Sequence, residues 1–366
     1  MKIGIDGRLY FETGVGRYIR NLLKEYDGFD DSNEYIVFTT PKAVNQINSY
    51  SRMKAVATDI RWHSIEEQIS FPLLLNRFDL DLIHFPYFSV PLFNSHPFVV
   101  TIHDLTTLNY STGKASTLPL PLYKLKHIAY RFVLKNALFN SKRIIVPSNS
   151  VKKDLIKVYP QIENKIRVTY EAGSLPMSDS QRQYSFEPFF LYVGNSYPHK
   201  NLENAILALK LFNSDRKNKY NLVIAGKIDH FTQRLKDFAK THKVDKQIIF
   251  QNSLNDQALS RLYLRCEGLI FPSLSEGFGL PILEAFDHGT IVCCSNIEVF
   301  RELYGSVPFY FNPLNIESIA KSMEKTSFLN AADKKKIIKE QKEISSKFSW
   351  KKTASKTLEI YKEAMR

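Results

Sequence analysis

Short runs of β-branched and aromatic residues recur along this chain, separated by longer stretches with helical spacing. "KIGID", "EYIVFT", "DLIHF", "PFVVTIHD" and "RIIVPS" form a first series, and "FFLYVG", "YNLVIAG", "QIIFQ", "GLIFPS" and "TIVCCS" a second. The runs are apolar almost throughout instead of alternating, the pattern of strands covered on both faces in parallel sheets between helices. Helices are expected between them, among others over Gly16 to Tyr26, Asn201 to Phe212 and Pro281 to His288. Two series predict two doubly wound α/β domains. A length of 366 residues agrees, being too much for one ordinary core. The break is expected in "AGSLPMSDSQRQYSFEP", residues 172 to 188, which is polar, Ser- and Pro-containing and without periodicity. This gives a first Rossmann-like domain over 1–175 and a second over 176–346. A closing helix over 347–366, with Leu358, Tyr361 and Ala364 at helical spacing, should cross back onto the first domain. Open parallel sheets bind ligands beyond the carboxyl ends of their strands, so loops of both domains are expected to face an interdomain cleft.

The formal net charge of +13 calls for a polyanionic partner: nucleic acid, anionic lipid or a phosphorylated small molecule. No acid occurs from Leu105 to Arg143, whereas Lys114, Lys124, Lys126, Arg131, Lys135, Lys142 and Arg143 all do. Within that segment Leu122, Leu125, Ile128, Ala129, Phe132 and Val133 form an apolar stripe. It reads either as an interfacial helix for an anionic membrane surface or as a core-facing helix with a basic outer side. The lysines between Lys334 and Lys356 are broken by Glu340 and Glu343 and read as a solvated helix face. Three cysteines, Cys293 and Cys294 adjacent, match no disulfide framework or zinc spacing and point to buried thiols in a cytosolic protein. "MKIGID" already reads as a strand, which leaves no secretory leader, and no apolar run reaches bilayer length.

The densest local chemistry is "SLSEGFGLPILEAF", residues 273–286. A strand, a glycine turn and a helix starting near Pro281 present free N–H groups at the positive end of a helix dipole, an anion site. Gly277 and Gly279 let the main chain approach a ligand closely. Glu276 and Glu284 suit hydroxyls: the first, in the loop, can reach a sugar, and the second, expected in the first helical turn, a ribose. The residues alone also allow a helix start with Glu284 merely favourable near its N-terminus.

With its Glu-x7-Glu spacing, the string "PSLSEGFGLPILEA" resembles the signature of glycosyltransferase family 4, retaining enzymes of the two-domain GT-B fold. "MKIGIDGRLYFETGVGRYIRNLL", "VVTIHDL", "IIVPSNSVKKDL", "FLYVGNSYPHKNLENAI" and "FSWKKTASKTLEIY" follow in the family's order, so the likeness covers nearly the whole chain. It is strongest toward the mannosyltransferase-like set that builds O-antigen and related polysaccharides. The resemblance implies that Glu276 binds donor-sugar hydroxyls, Glu284 the ribose, and the backbone of Phe278, Gly279 and Leu280 the diphosphate. It implies a phosphate-binding role for Lys200, a glycine loop at Gly14 and Gly16 facing the donor phosphates and the acceptor, and a place near the transferred sugar for His103. Where many relatives carry an arginine, this chain has Asn195, with His199 a possible substitute cation. Asp104 either orients His103 or caps the following turn.

The implied chemistry is glycosyl transfer from a nucleotide diphosphate sugar to a hydroxyl of a glycan acceptor, lipid-linked by analogy. It proceeds with retention, same-face attack and no required metal or other cofactor. GDP-mannose is the first choice of donor, with UDP- and dTDP-sugars open. The expected location is the cytoplasm, or peripherally the cytoplasmic face of the inner membrane. Asp79-Leu80-Asp81 imitates a metal-binding Asp-x-Asp but leads into a strand and reads as a polar edge. Glu66-Glu67 reads as a solvated helix face, and His84, inside "LIHF", as a core histidine. The rival enzyme is a nucleotide-sugar 2-epimerase of the same architecture. A basic nucleic-acid-binding protein is disfavoured because no nucleic-acid motif accompanies the charge.

Overall fold

The computed structural model describes residues 1–106, 120–178, 184–186, 188–252 and 254–366, with side chains from residue 125 onward in the helix that opens at Leu120. Lys114, the side chains of Leu122 and Lys124, and part of the expected break lie outside the described residues. The chain divides into two compact units, Met1–Glu171 with Ser349–Arg366, and Ala172–Phe348. The chain therefore passes between units at 171/172 and 348/349, against sequence-based boundaries of 175/176 and 346/347.

The first unit carries a parallel sheet of seven described strands in the order β3-β2-β1-β4-β5-β6-β7. These are β1 (Lys2–Asp6), β2 (Glu34–Thr39), β3 (Met53–Ala57), β4 (Leu82–Phe85), β5 (Phe98–Thr101), β6 (Arg143–Val146) and β7 (Ile166–Val168). Helices α1 (Gly14–Phe29), α2 (Val44–Ile47), α3 (Ile65–Leu75), α4 (Leu120–Asn140) and α5 (Asn149–Val158) connect them. In α1 the buried residues Tyr18, Ile19, Leu22 and Tyr26 recur at three to four residues and make one core stripe.

The second unit holds a parallel sheet of six described strands, β10-β9-β8-β11-β12-β13. They are β8 (Phe189–Val193), β9 (Asn221–Ala225), β10 (Ile248–Gln251), β11 (Gly268–Phe271), β12 (Val292–Ser295) and β13 (Phe309–Phe311). Its helices are α6 (Leu202–Phe212), α7 (His230–Thr241), α8 (Asp256–Arg265), α9 (Leu280–Asp287), α10 (Glu298–Tyr304), α11 (Ile316–Ser327) and α12 (Ala331–Ser345). The closing helix α13 (Trp350–Ala364) belongs to the first unit. There Tyr26 donates to the Tyr361 hydroxyl at 3.2 Å, and Glu363 accepts from Arg143 at 3.2 Å and Arg167 at 2.9 Å.

In each sheet the strand order reverses beside the first strand, between β1 and β4 and between β8 and β11. Main chain diverges to opposite sides at such a switch point and leaves a crevice at the carboxyl edge. The loops leaving β1, β8 and β11 are the segments around Gly14–Gly16, Asn195–Lys200 and Ser273–Gly279.

One alternative left open by sequence is resolved here. Of the stripe on α4, Leu125, Ile128, Ala129 and Phe132 face outward and are exposed, whereas Val133 is half-buried and packs with the core side, Leu134, Ala137 and Leu138. No described helix is long and apolar enough to cross a membrane.

Candidate functional site

In the second unit, two loops at the switch point meet through an ion pair. Lys200 Nζ lies 2.7 Å from Glu276 Oε1, with 14 % and 12 % of the two side chains exposed. The Lys200 loop turns through Pro198–Lys200 and ends at Asn201, whose φ of 58° is left-handed. Asn201 Nδ2 donates to the carbonyls of Pro272 at 3.1 Å and Pro313 at 2.7 Å, and Leu274 N–H donates to the His199 carbonyl at 2.8 Å. The two loops are therefore stitched by the Asn201 side chain and one backbone pair, and the ammonium and carboxylate are held in place instead of sampling solvent.

The glycine turn then opens α9. Gly279 has φ +96°, and a Cβ there would lie 2.8 Å from Phe300 Cε1, so both conformation and space demand glycine. Tyr304 donates to the carbonyls of Phe278 at 3.0 Å and Gly279 at 3.1 Å, which fixes the turn from behind. No side chain caps this helix end. Pro281 has no N–H and Ile282 N–H donates to the Gly279 carbonyl at 2.9 Å, so the groups of this helix start that could meet an anion beside Lys200 are the Gly279 and Leu280 amides. Gly277 and Phe278 are buried within the turn, and Leu280 is half-buried.

Glu284 departs from expectation. It lies beyond the first turn of α9, which holds no acid, and is 2 % exposed. Its Oε2 accepts from the Tyr263 hydroxyl at 3.0 Å. Counting from Pro281 misplaced it because the helix starts a residue earlier, at Leu280, and a fifth-position side chain points back over the turn it follows. Nothing in the local sequence marks Tyr263, which is 21 residues away on α8.

In the first unit the carboxyl ends of β4, β5 and β7 converge on His103. Its Nδ1 lies 3.0 Å from Glu171 Oε1 and its Nε2 3.0 Å from the Pro86 carbonyl. With Glu171 ionised both partners are acceptors, and the two bonds are then complete only on the doubly protonated ring. Burial opposes that charge, but the Glu171 carboxylate and the Pro86 carbonyl outweigh it, and the pKa is raised above the ordinary histidine value. Tyr18 packs edge-on at 5.0 Å. A cavity of about 20 Å³, room for one water, lies beside the ring among Tyr87, Phe88, Asp104 and Tyr130. Asp104 accepts from the Thr106 amide at 2.8 Å and caps that turn; Glu171 orients the histidine. Glu171 is a partner of the candidate His103 that sequence reasoning missed, because it follows a three-residue strand with no motif of its own.

The glycines of the first loop differ. A Cβ at Gly16 would meet the carbonyls of Tyr10 at 2.6 Å and Leu9 at 2.8 Å, so α1 starts hard against its own loop. Gly14 is exposed in open space and nothing around it demands glycine. Asn195 accepts from the Tyr197 amide at 3.3 Å and shapes its own turn. His199 lies half-buried in the Pro198–Lys200 turn.

Several residues read from sequence are structural. His84 is fully buried, with Nε2 2.8 Å from Thr101 Oγ1 and Nδ1 2.6 Å from the Tyr361 hydroxyl; burial holds its pKa down at about 3. Asp81 accepts from the Lys2 amide at 2.8 Å and anchors the start of β1. Among the described residues no three His, Cys, Asp or Glu side chains gather as metal ligands. Glu66 is exposed as expected, but Glu67 is not a solvated residue. It is fully buried, accepting from Arg8 Nη2 at 2.6 Å, Ser89 Oγ at 2.7 Å and the His63 amide at 2.9 Å. Adjacent helical positions stand 100° apart, so one glutamate turns out while the next turns in. Cys266, Cys293 and Cys294 are buried free thiols.

Comparison with known proteins gives the family and the fold. A family model described as "Glycosyltransferase Family 4" matches residues 13–172, and one described as "Glycosyl transferases group 1" matches residues 177–343. The chain belongs to the family-4 glycosyltransferases. Its curated relatives include the O-antigen chain mannosyltransferase RfbU of Salmonella typhimurium, 27 % identical over 76 % of this chain and 73 % of that one. Another is O-antigen chain mannosyltransferase B of Escherichia coli, 24 % identical over 96 % of both. Among solved structures, Anabaena HepE in complex with UDP-glucose superposes with a TM-score of 0.76 at 14 % identity, covering 99 % of each chain. That likeness concerns the fold, and the two Rossmann-like units of this glycosyltransferase are those of GT-B enzymes.

Proposed function

We propose that this glycosyltransferase moves mannose from GDP-mannose to a hydroxyl of a lipid-linked glycan in O-antigen-type polysaccharide synthesis. In this reading it works in the cytoplasm, peripherally on the inner face of the membrane. The names of its curated relatives support the sugar and the pathway. The observation that carries the donor site is the Lys200–Glu276 pair beside the uncapped start of α9. The diphosphate takes the amides of Phe278, Gly279 and Leu280 and the Lys200 ammonium. Glu276 then turns to the sugar hydroxyls and Glu284 to the ribose. Gly14, Gly16 and His103 supply the first unit's part, the glycine loop toward the phosphates and acceptor and the histidine beside the transferred sugar.

Reaction breaks the bond between the sugar C1 and the phosphate oxygen and forms one from C1 to the acceptor oxygen on the same face. The departing phosphate oxygen receives the acceptor proton. Lys200 and the helix amides stabilise charge as it gathers on the leaving diphosphate, so the step needs neither metal nor other cofactor. A screen of GDP, UDP and dTDP by thermal denaturation selects the base, since ligand at about 100 times its Kd stabilises by about 2.7 kcal/mol. Mannosyl transfer to a lipid-linked glycan with retained configuration is the expected product assay. Interconversion of the donor sugar without acceptor, or stabilisation by UDP or dTDP alone, counts against the proposal.

A further inference from the structure

We infer that the outward faces of α3 and α4, with Phe93 between them, form one docking surface for an anionic membrane leaflet. Helix α3 buries Glu67, Phe71 and Leu75 and turns Ile65, Ile69 and Leu73 the other way, 82 %, 57 % and 61 % exposed. Those three are spaced by four residues and form a single stripe. The loop after β4 lies against the same helix. Leu92 N–H donates to Gln68 Oε1 at 2.9 Å, and the next residue, Phe93, is 72 % exposed. The same loop reaches α4, where Phe88 meets Tyr130 edge-on at 4.6 Å, and it reaches the segment before α3, where Phe88 lies 4.9 Å from His63. On α4, Leu125, Ile128 and Phe132 are 64 %, 65 % and 63 % exposed. A run of large aliphatic and aromatic groups on neighbouring elements exceeds what isolated surface apolar residues explain.

Charge selects the occupant. On α4, at 100° per residue, exposed Lys126 lies on one flank of the stripe and exposed Arg131 and Lys135 on the other. The sequence from Leu105 to Arg143 contains no acid, and Glu66 is the only exposed acid on α3. An apolar strip between basic flanks matches acyl chains below anionic headgroups. A second copy of the same face would set the basic flanks against one another. The surface stands on these exposures; its use, bringing the enzyme to a lipid-linked acceptor, rests on the function proposed above.

The test is sedimentation of the full chain with vesicles of phosphatidylcholine alone or mixed with phosphatidylglycerol, at low and high salt. Binding should require the anionic lipid and weaken with salt. Ile65→Ser with Ile69→Ser on α3, and separately Ile128→Ser with Phe132→Ser on α4, should each reduce partitioning about tenfold or more. Both variants should keep the parent's melting temperature and its transfer to a soluble acceptor. That last assay separates a failed surface from a failed function, since it needs no membrane. The inference is overturned by no sedimentation at low salt, by an α3 variant that binds like the parent, or by dimerisation in solution that these substitutions abolish.

Discussion

Replacing Lys200 by alanine removes the cation of a pair closed at 2.7 Å, with 14 % and 12 % of the side chains in contact with water. Two effects follow, and they separate. Deleting one partner of a fully buried pair costs about 3–5 kcal/mol. Partial hydration at this pair brings the expected loss of stability down to roughly 1–3 kcal/mol. The second effect is on the ligand. A charge-assisted hydrogen bond to the diphosphate is worth about 1.5–3 kcal/mol, so Kd for GDP should rise roughly 10- to 150-fold. Glu276→Ala makes the contrast, because it removes a group assigned to the sugar and frees Lys200 for phosphate. It should bind GDP at least as tightly as the parent while transfer collapses. Calorimetric titration of both variants and of the double variant with GDP and GDP-mannose reads these terms, and the cycle isolates their coupling. If Lys200→Ala keeps parental affinity for GDP, or if Glu276→Ala loses GDP binding to the same extent, the site is wrongly built.

Tyr263→Phe removes the hydroxyl that donates to Glu284 at 3.0 Å and should raise the donor KM about 5- to 30-fold with kcat little changed; a fall confined to kcat would contradict the ribose role. Gly279→Ala forces a Cβ into φ +96° and 2.8 Å from Phe300, so denaturant unfolding should show about 1–3 kcal/mol lost, and unaltered stability would refute the strain argument. His103 has a raised folded pKa, so its contribution to stability is complete below the unfolded value near 6.5 and disappears as pH rises through the folded one. Stability followed from about pH 6 to about pH 9 should therefore fall more in the parent than in Glu171→Gln, and parallel curves would remove the imidazolium.

Much of the candidate site was legible because it is written locally. The Glu276–Glu284 segment carries its own turn chemistry, and the structure makes Gly279 left-handed and starts α9 within one residue of the expected Pro281. The long apolar strands were equally plain. The short β3, β7 and β13 were not, since "MKAVA" is half-exposed and "IRV" and "FYF" are three residues each, too short to show a period. The same limit applies to partners: Glu171 stands 68 residues from His103 and Glu67 stands 59 from Arg8, distances over which no spacing rule operates.

The amino-acid order by itself determined the two α/β series and the glycine turn with its acids, properties of contiguous residues, and its family resemblance singled out Lys200, Glu276 and His103 as candidates. Tertiary structure alone decided that Glu67 is buried, that Glu284 is held by Tyr263, that His103 is clamped between Glu171 and the Pro86 carbonyl, and that Leu125, Ile128, Ala129 and Phe132 of α4 face outward. The reason is physical. Backbone preference and periodicity act over a few residues, whereas burial and charge pairing depend on which distant strands the sheet order brings side by side.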